Sequence, residues 1–258
     1  MHLPHAADNG KEDGRPRIAF VPLEANPENL SELAHSLGLS PALTFCDVFS
    51  LTEPEMLAFI PRPALALLLV FPITPAYEAS RAEEDAGKEV FEGKGNTEPM
   101  WMRQTIRNAC GTMGLLHAMF NGTPRDFITP GSPLSRLYHA ALPASTSDRC
   151  SLLESNKELA AAHADVAVKG QSAAPDARDD LDLHYVCFVK GSPDESKGGK
   201  AALWELDGRR KGPLLRLDNM EPEEDVLSQR AVQAGPLRFL AQGGEDMRFS
   251  CVALVQGS

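Results

Sequence analysis

Gln104 to Phe120 reads QTIRNACGTMGLLHAMF, a polar segment that runs into an apolar helical repeat at a cysteine. Met113, Leu116 and Phe120 fall at i, i+3 and i+7, the spacing of one apolar helix face. That places Asn108 or Ala109 at the helix start and Cys110 in its first turn. Unpaired N–H groups and the positive end of the helix dipole favour a thiolate over a thiol there. Ala109 and Gly111 are small enough to let a substrate backbone approach the sulfur, and Gln104 precedes it by six positions. Two readings are open: a seat for a nucleophile, or a buried structural cysteine at a helix start. The stretch alone does not choose between them, because local cysteine signatures do not transfer between families.

The surrounding chain limits the chemistry. Its 258 residues suffice for one large domain or two small ones, and 43% hydrophobic with 24% charged residues is an ordinary globular balance. Residues 1–17 are polar with no apolar core, so no signal peptide is expected. The longest apolar run, Ala64 to Ile73, is too short for a membrane span, which needs ~20 residues. The cysteines (Cys46, Cys110, Cys150, Cys187, Cys251) are odd in number, scattered, and without CxxC or zinc-site spacing. Free thiols in a reducing compartment are expected. A net charge of -11 argues against nucleic acid and suits a basic protein partner, although an acid excess also serves solubility.

Read in order, residues 1–16 are expected to be a disordered tail, followed by a strand over Arg17–Leu23. Asn26-Pro27 opens a helix that Gly38 stops. Phe45–Phe49 is a short strand, and Thr52-Glu53-Pro54-Glu55 reads as a capping box for a helix ending before Pro61. Leu65–Phe71 is apolar without alternation, as in a central strand covered on both faces. A helix over Pro75–Lys88 and a loop over Gly93–Pro99 lead to the cysteine stretch. Beyond it, helices are expected after Ser132-Pro133 and over Ser147–Ala162. Residues 163–180 then form a long polar loop, either a linker or a lid. Strands are expected at Leu183–Lys190, Ala201–Leu206, Leu214–Leu217 and Met247–Val255, with a hairpin loop over Gly191–Lys200. A helix from Glu221 to Ala234 is broken by Gly235-Pro236. Helices early and adjacent strands late favour an α+β fold.

A thiol nucleophile needs a base and something to orient it. Of the seven histidines, His2 and His5 lie in the tail, and His35, His139 and His163 on expected helix or loop surfaces. His117 sits about two turns from Cys110, too far for a direct bond. His184 stands at a strand start, and Asp207 ends the neighbouring strand. An antiparallel hairpin would bring both to one sheet edge, the logic of a catalytic triad. Each also has a plain reading: a half-exposed histidine, a turn aspartate, and in Gln104 a solvated polar residue.

In order along the chain, the stretches Pro22–Glu28, Phe45–Val48, Leu67–Thr74, Gln104–Thr112, Asp182–His184, Glu205–Arg209 and Arg248-Phe249 resemble the ubiquitin carboxyl-terminal hydrolase family of cysteine peptidases. The resemblance spans about residues 17–255. It implies a nucleophile at Cys110, a general base at His184, an orienting carboxylate at Asp207, and an oxyanion hole from the Gln104 amide with the Cys110 N–H. It also implies a single catalytic domain over residues 17–258, folded as a papain-like α/β/α sandwich with a mainly antiparallel sheet and a knotted backbone. Residues 163–180 would then be a crossover segment over the site, so small or flexible leaving groups are expected. Glu24, Glu28, Asp47 and Asp246 match acidic positions that contact ubiquitin. No cofactor or metal is called for. The partner expected is ubiquitin or a ubiquitin-like modifier, and the protein a cytoplasmic monomer. A catalytically silent ubiquitin-binding protein and an unrelated thiol acyltransferase are the rival readings. Departures from the family are the long tail, the expanded 191–200 loop and Val21 where an aromatic is common.

Overall fold

The computed structural model describes residues 18–93, 99–169, 182–242, 246 and 248–257. The expected tail 1–16 and most of the 163–180 loop lie outside these residues. The elements follow in order: α1 (Pro27–Leu37), β1 (Leu43–Asp47), α2 (Pro54–Leu57), β2 (Ala64–Pro72), α3 (Pro75–Asp85), α4 (Cys110–Phe120), α5 (Pro133–Ala141), α6 (Thr146–Ser155) and α7 (Lys157–Ala167). Then come β3 (Leu183–Lys190), β4 (Ala201–Leu206), β5 (Leu214–Met220), α8 (Gln229–Ala234), α9 (Leu237–Gln242) and β6 (Ser250–Gln256).

The strands form one antiparallel sheet in the order β1-β6-β2-β3-β4-β5. β2 shows why both faces are covered: Ala66, Leu68 and Val70 join one buried cluster, while Leu67, Leu69 and Phe71 join another. The period of two thus feeds two apolar layers. The first contains α4, α1 and the α5–α7 run; the second contains α8, α9 and Tyr77 of α3. The resulting helix–sheet–helix sandwich is the expected α+β arrangement.

Local rules account for the best-anticipated elements. Asn26 Oδ1 accepts the Asn29 N–H (3.0 Å) at the start of α1. Gly38 ends that helix at φ 114, and a Cβ there would also come within 2.2 Å of Ser132, so glycine is required twice over. Several expectations fail for tertiary reasons. Residues 18–23 form no strand; only Ala19 makes a parallel bridge, to Arg107. Thr52 does not cap α2: Glu53 is the N-cap without a side-chain bond, and Ser50 Oγ accepts the Thr52 and Glu53 N–H groups instead. The helix expected over 147–162 is two, because Asn156 leaves helical geometry and caps α7 through the Leu159 N–H (2.9 Å). That second helix runs to Ala167, so residues 163–167 are not loop. Residues 221–228 are turns, and helix begins only at Gln229. There Asp225 takes the Leu227 and Ala64 N–H groups, competing with helical bonding.

Candidate active site

Strand register brings candidate residues to one end of the sheet. Phe71 pairs with His184, Val70 with Ser250, and Asp47 with Val252, so the ends of β1 and β2 meet the starts of β3 and β6. β4 runs against β3 with Leu206 opposite Cys187, which delivers Asp207 to the same end. His184 and Asp207 are 2% and 1% exposed, and His184 Nε2 lies 2.7 Å from Asp207 Oδ1. An ionised carboxylate only accepts, so Nε2–H donates and Nδ1 is left for the sulfur. The Cys110 side chain lies close enough to the His184 ring to act on its titration. The histidine and aspartate chosen from sequence therefore stand together beside the cysteine.

Electrostatics reinforce the geometry. Burial alone would lower the His184 pKa, but the Asp207 charge and hydrogen bond, with the adjoining sulfur, raise it to about 9. Burial would raise the Asp207 pKa, yet His184 outweighs it and holds the carboxyl well below the ordinary range. Two further donors serve that carboxylate: the Arg209 N–H on Oδ1 (2.8 Å) and the Tyr77 hydroxyl on Oδ2 (2.8 Å). Burial, followed by the Asp207 charge, pushes the Tyr77 pKa far up, so it stays an O–H donor at any working pH. Sequence reading missed Tyr77; on α3 it looked like one residue of an acidic surface helix.

Cys110 is the first residue of α4, as expected, and every residue of that helix is buried. Two positions upstream, Asn108 holds φ 57, a left-handed conformation uncommon for a side-chain-bearing residue. The preceding segment is irregular but tied down throughout. Asn121 Oδ1 accepts the Met100 N–H (2.7 Å) and its Nδ2 donates to the Met100 carbonyl (3.0 Å). His117 Nε2 accepts the Met102 N–H (3.1 Å), and burial pushes its pKa down to about 4, keeping it a neutral acceptor. Arg149, 1% exposed, donates to the Trp101 carbonyl (3.0 Å), and the Trp101 indole N–H donates to the Asp207 carbonyl (3.0 Å). The Gln104 N–H reaches the Gly208 carbonyl (2.9 Å). At Gly208 a Cβ would lie 2.9 Å from the Gln104 Cβ, so the turn after Asp207 must be glycine for the two strips to touch. These anchors were not legible: the Asn121-Gly122-Thr123 sequon is a buried amide clamp, and His117 is a backbone acceptor.

The Gln104 side chain donates from Nε2 to the Ile106 carbonyl (3.2 Å), and its buried Oε1 has no partner among the described residues. The amide's second N–H remains available to an incoming group. His163, expected on a surface, is instead 1% exposed. Its Nδ1 meets Thr112 Oγ1 and its Nε2 the Val21 carbonyl, each at 2.7 Å, with Phe20 stacked at 4.2 Å. It thereby joins α7, α4 and the segment before Glu24. Phe20 occupies this stacking position beside Val21.

The four acidic residues are only partly gathered. Burial, followed by the charge of Glu28, raises the Asp47 pKa, so these two carboxylates are neighbours at the exposed end of β1. Glu24 is half-buried and, with Cys110, acts on the Tyr185 hydroxyl, which donates to the Leu23 carbonyl (3.0 Å). Asp246 is engaged by Arg248 (2.7 Å), which also holds Asp182 (2.6 Å). All five cysteines are unpaired: Cys110 and Cys187 are buried, and Cys46, Cys150 and Cys251 half-buried. Among the described residues no cluster of three metal-ligating side chains occurs, and no helix is long and apolar enough to cross a membrane.

The chain is similar to known proteins. The family profile described as ubiquitin carboxyl-terminal hydrolase, family 1 matches residues 20–235. The ubiquitin carboxyl-terminal hydrolase YUH1 of Saccharomyces cerevisiae is 31% identical over 233 residues, covering 88% of this chain and 91% of the relative. Isozyme L1 of Rattus norvegicus is 34% identical over 246 residues, covering 93% of this chain and 100% of the relative. The Trichinella spiralis UCH37 catalytic domain, solved bound to ubiquitin vinyl methyl ester, superposes with a TM-score of 0.66 at 17% identity. That alignment covers 95% of this chain and 97% of the other, and it shows the same fold.

Proposed function

The chain belongs to ubiquitin carboxyl-terminal hydrolase family 1 and is a cysteine-type deubiquitinating hydrolase, and from that premise we propose how its residues perform the reaction. The observation that carries the reading is the buried Asp207–His184 hydrogen bond, with the Cys110 side chain close enough to act on the same ring. The Cys110 thiol gives its proton to His184 Nδ1 as its sulfur attacks the carbonyl carbon of ubiquitin's terminal glycine, and the carbonyl π electrons move to oxygen. The Gln104 amide and the Cys110 backbone N–H receive that oxyanion. When the intermediate collapses, the bond to the leaving amine breaks and the proton on His184 Nδ1 passes to the nitrogen. Water then attacks the thioester, His184 takes its proton, and the thiolate is released with ubiquitin's carboxylate. Asp207 stays ionised throughout and stabilises the imidazolium.

Steady-state hydrolysis of a ubiquitin–fluorophore conjugate tests this reading, with covalent ubiquitin and ubiquitin-like probes competing for Cys110. Labelling by ubiquitin alone supports a ubiquitin enzyme. Preferential labelling by a ubiquitin-like probe would shift the substrate to that modifier, and binding without turnover would leave a silent adaptor. Replacing Gln104 with alanine should lower kcat by about 10²–10³-fold with little change in KM, because the lost donor acts on charge that develops only at the transition state. A matched rise in KM with kcat intact would remove the oxyanion role.

The rate should also fall on the alkaline side. His184 must hold a proton to release the amine, and its pKa is raised to about 9, so kcat/KM is expected to decline as pH passes through about 9. The same shift has a stability consequence. Because the folded-state value lies above the unfolded one, the stabilisation is complete below about 6.5 and is lost as pH rises towards 9. Denaturant titrations across that window check the sign.

The preference for small or flexible leaving groups belongs to this proposal. It is supported by where the chain leaves and returns: α7, whose His163 bonds Thr112 of α4, ends at Ala167, and Asp182 lies two residues before His184, its carbonyl accepting the Ile73 N–H (2.6 Å). A ubiquitin carrying a short peptide extension should be cleaved faster than one linked to a second folded ubiquitin; equal rates would refute it. Glu24, Glu28 and Asp47 are proposed to meet basic residues of ubiquitin, with Asp246 as an outlying fourth. A cytoplasmic monomer, a single catalytic domain and a cofactor-free reaction complete the reading, and the five free thiols support the compartment.

A further inference from the structure

On the other side of Asp207 from β1 lies an open cavity of about 340 Å³ between α3, the segment before Gln104 and the turn after Gly208. Its lining includes Arg81, Arg103, Arg209, Arg210 and Lys211, with Asp85 as its one acid, on a chain whose net charge is -11. Part of this charge is already matched. Arg81 and Arg209 share Glu78 (2.5 and 2.9 Å), and Arg210 is paired with Asp85 (2.9 Å) and Glu84 (2.8 Å). Arg210 also reaches Glu205 (3.7 Å), which leaves the unpaired charge at the rim. That charge falls on Arg103 and Lys211, which make no carboxylate ion pair among the described residues and are both exposed. Lys211 Nζ donates to the Lys88 carbonyl (2.8 Å), which positions the ammonium without neutralising it.

The cavity's place in the fold says what reaches it. Arg103 is the residue before Gln104, and Arg209 gives its N–H to Asp207 Oδ1, so both walls are continuous with the catalytic strips. The Gln104 N–H to Gly208 carbonyl bond ties those walls together. The carboxylates Glu28 and Asp47 lie towards β1, at the opposite edge of the sheet from β4 and β5. The site is therefore polarised: acidic on the β1 side of His184, basic beyond Asp207. A chain cut at the sulfur has one half on each side. Since the acidic side is assigned to ubiquitin, the basic side faces what is released. Ala82, Ala86 and Val90 add an apolar wall on which side-chain methylenes can rest.

Resting on the hydrolase reading above, we propose that this cavity binds the leaving group and selects adducts whose residues next to the scissile bond carry carboxylates. Specificity on this side is thus electrostatic. It comes from charges at the rim that are screened as salt rises, the Debye length shrinking from about 10 Å at 0.1 M to about 3 Å at 1 M. Arg209 and Arg210 are committed to the fold around Asp207, so Arg103 and Lys211 carry the discrimination.

The test compares four substrates: ubiquitin extended at its C-terminus by a short glutamate-rich, lysine-rich or serine–glycine peptide, and the ubiquitin–fluorophore conjugate. In low salt the glutamate-rich extension should show a kcat/KM about three- to tenfold above the serine–glycine one, the scale of two partly exposed charge pairs. The lysine-rich extension should fall below it. The order should flatten at high salt and in each of Arg103→Glu and Lys211→Glu, and reverse in the double variant, with fluorophore turnover unchanged in all three. Equal rates for the three peptides, a preference that survives both charge reversals, or a parallel change on the fluorophore substrate would overturn the proposal. No turnover of the fluorophore conjugate by the unmodified protein would sink the hydrolase reading and this one together. Normal fluorophore turnover without charge discrimination sinks this one alone.

Discussion

Replacing Cys110 with alanine is expected to cut turnover of a ubiquitin–fluorophore conjugate by about 10⁴–10⁶-fold, the scale seen when a covalent nucleophile is deleted. Affinity for ubiquitin should stay within about twofold. The substitution deletes one sulfur at the first position of α4, where alanine is the best helix former and only a small volume is lost. Glu24, Glu28 and Asp47 are untouched, as is the segment tied to Asn121 and Arg149. Titration calorimetry with ubiquitin, beside the rate assay, separates the two effects. Residual turnover near that of the native protein would remove Cys110 from the mechanism, and a large loss of affinity would assign it to binding.

Replacing Asp207 with asparagine should cost about 10³–10⁴ in kcat, as when the orienting carboxylate of a triad is lost. His184 is buried on all sides, and the charge that holds its pKa at about 9 would be gone, so burial would pull the ring towards neutrality. The alkaline limb should then move down through neutral pH, which distinguishes loss of the charge from general damage. Local packing would suffer as well. The carboxylate accepts from His184, Arg209 and Tyr77, all donors, and an amide must turn its own NH₂ towards one of them. One buried donor left unmatched costs about 1–3 kcal/mol. A modest drop in thermal stability should accompany the shifted limb. An unmoved limb with an intact fold would show that His184 draws its basicity from elsewhere.

What the residues disclosed in advance, and what they hid, follows from the range of the forces involved. Asn26-Pro27 with Gly38, and the apolar run of β2, are read locally because capping and burial on both faces leave marks within a few residues. Cys110, Gln104, His184 and Asp207 were singled out as candidates through their order along the chain, and sheet register brings the histidine and aspartate to one edge. Tyr77 left no such mark. Its hydroxyl acts on an aspartate 130 positions away, and a tyrosine in an amphipathic helix is ordinarily a packing residue. Arg149 and Asn121 were hidden for the same reason, since their partners are backbone groups of an irregular segment with no periodicity to read. His163 was misplaced because its helix was ended too early; once α7 continues to Ala167, its ring turns inward onto Thr112 and Val21. The turns over 221–228 were taken for helix because Asp225 bonds distant backbone at Ala64, a competition invisible in the local sequence.

The sheet order carries a further consequence, for synthesis. β6 lies between β1 and β2, although it is the last of these six strands to leave the ribosome. Until it emerges, β1 has no strand neighbour and one edge of β2 is bare, with Ala66 to Val70 lacking partners on that side. The nascent chain must therefore wait with its most apolar strand half-matched, the situation in which holdase chaperones bind. Stalling translation before Ser250 should leave a chaperone-bound chain, and release past Gln256 a compact one.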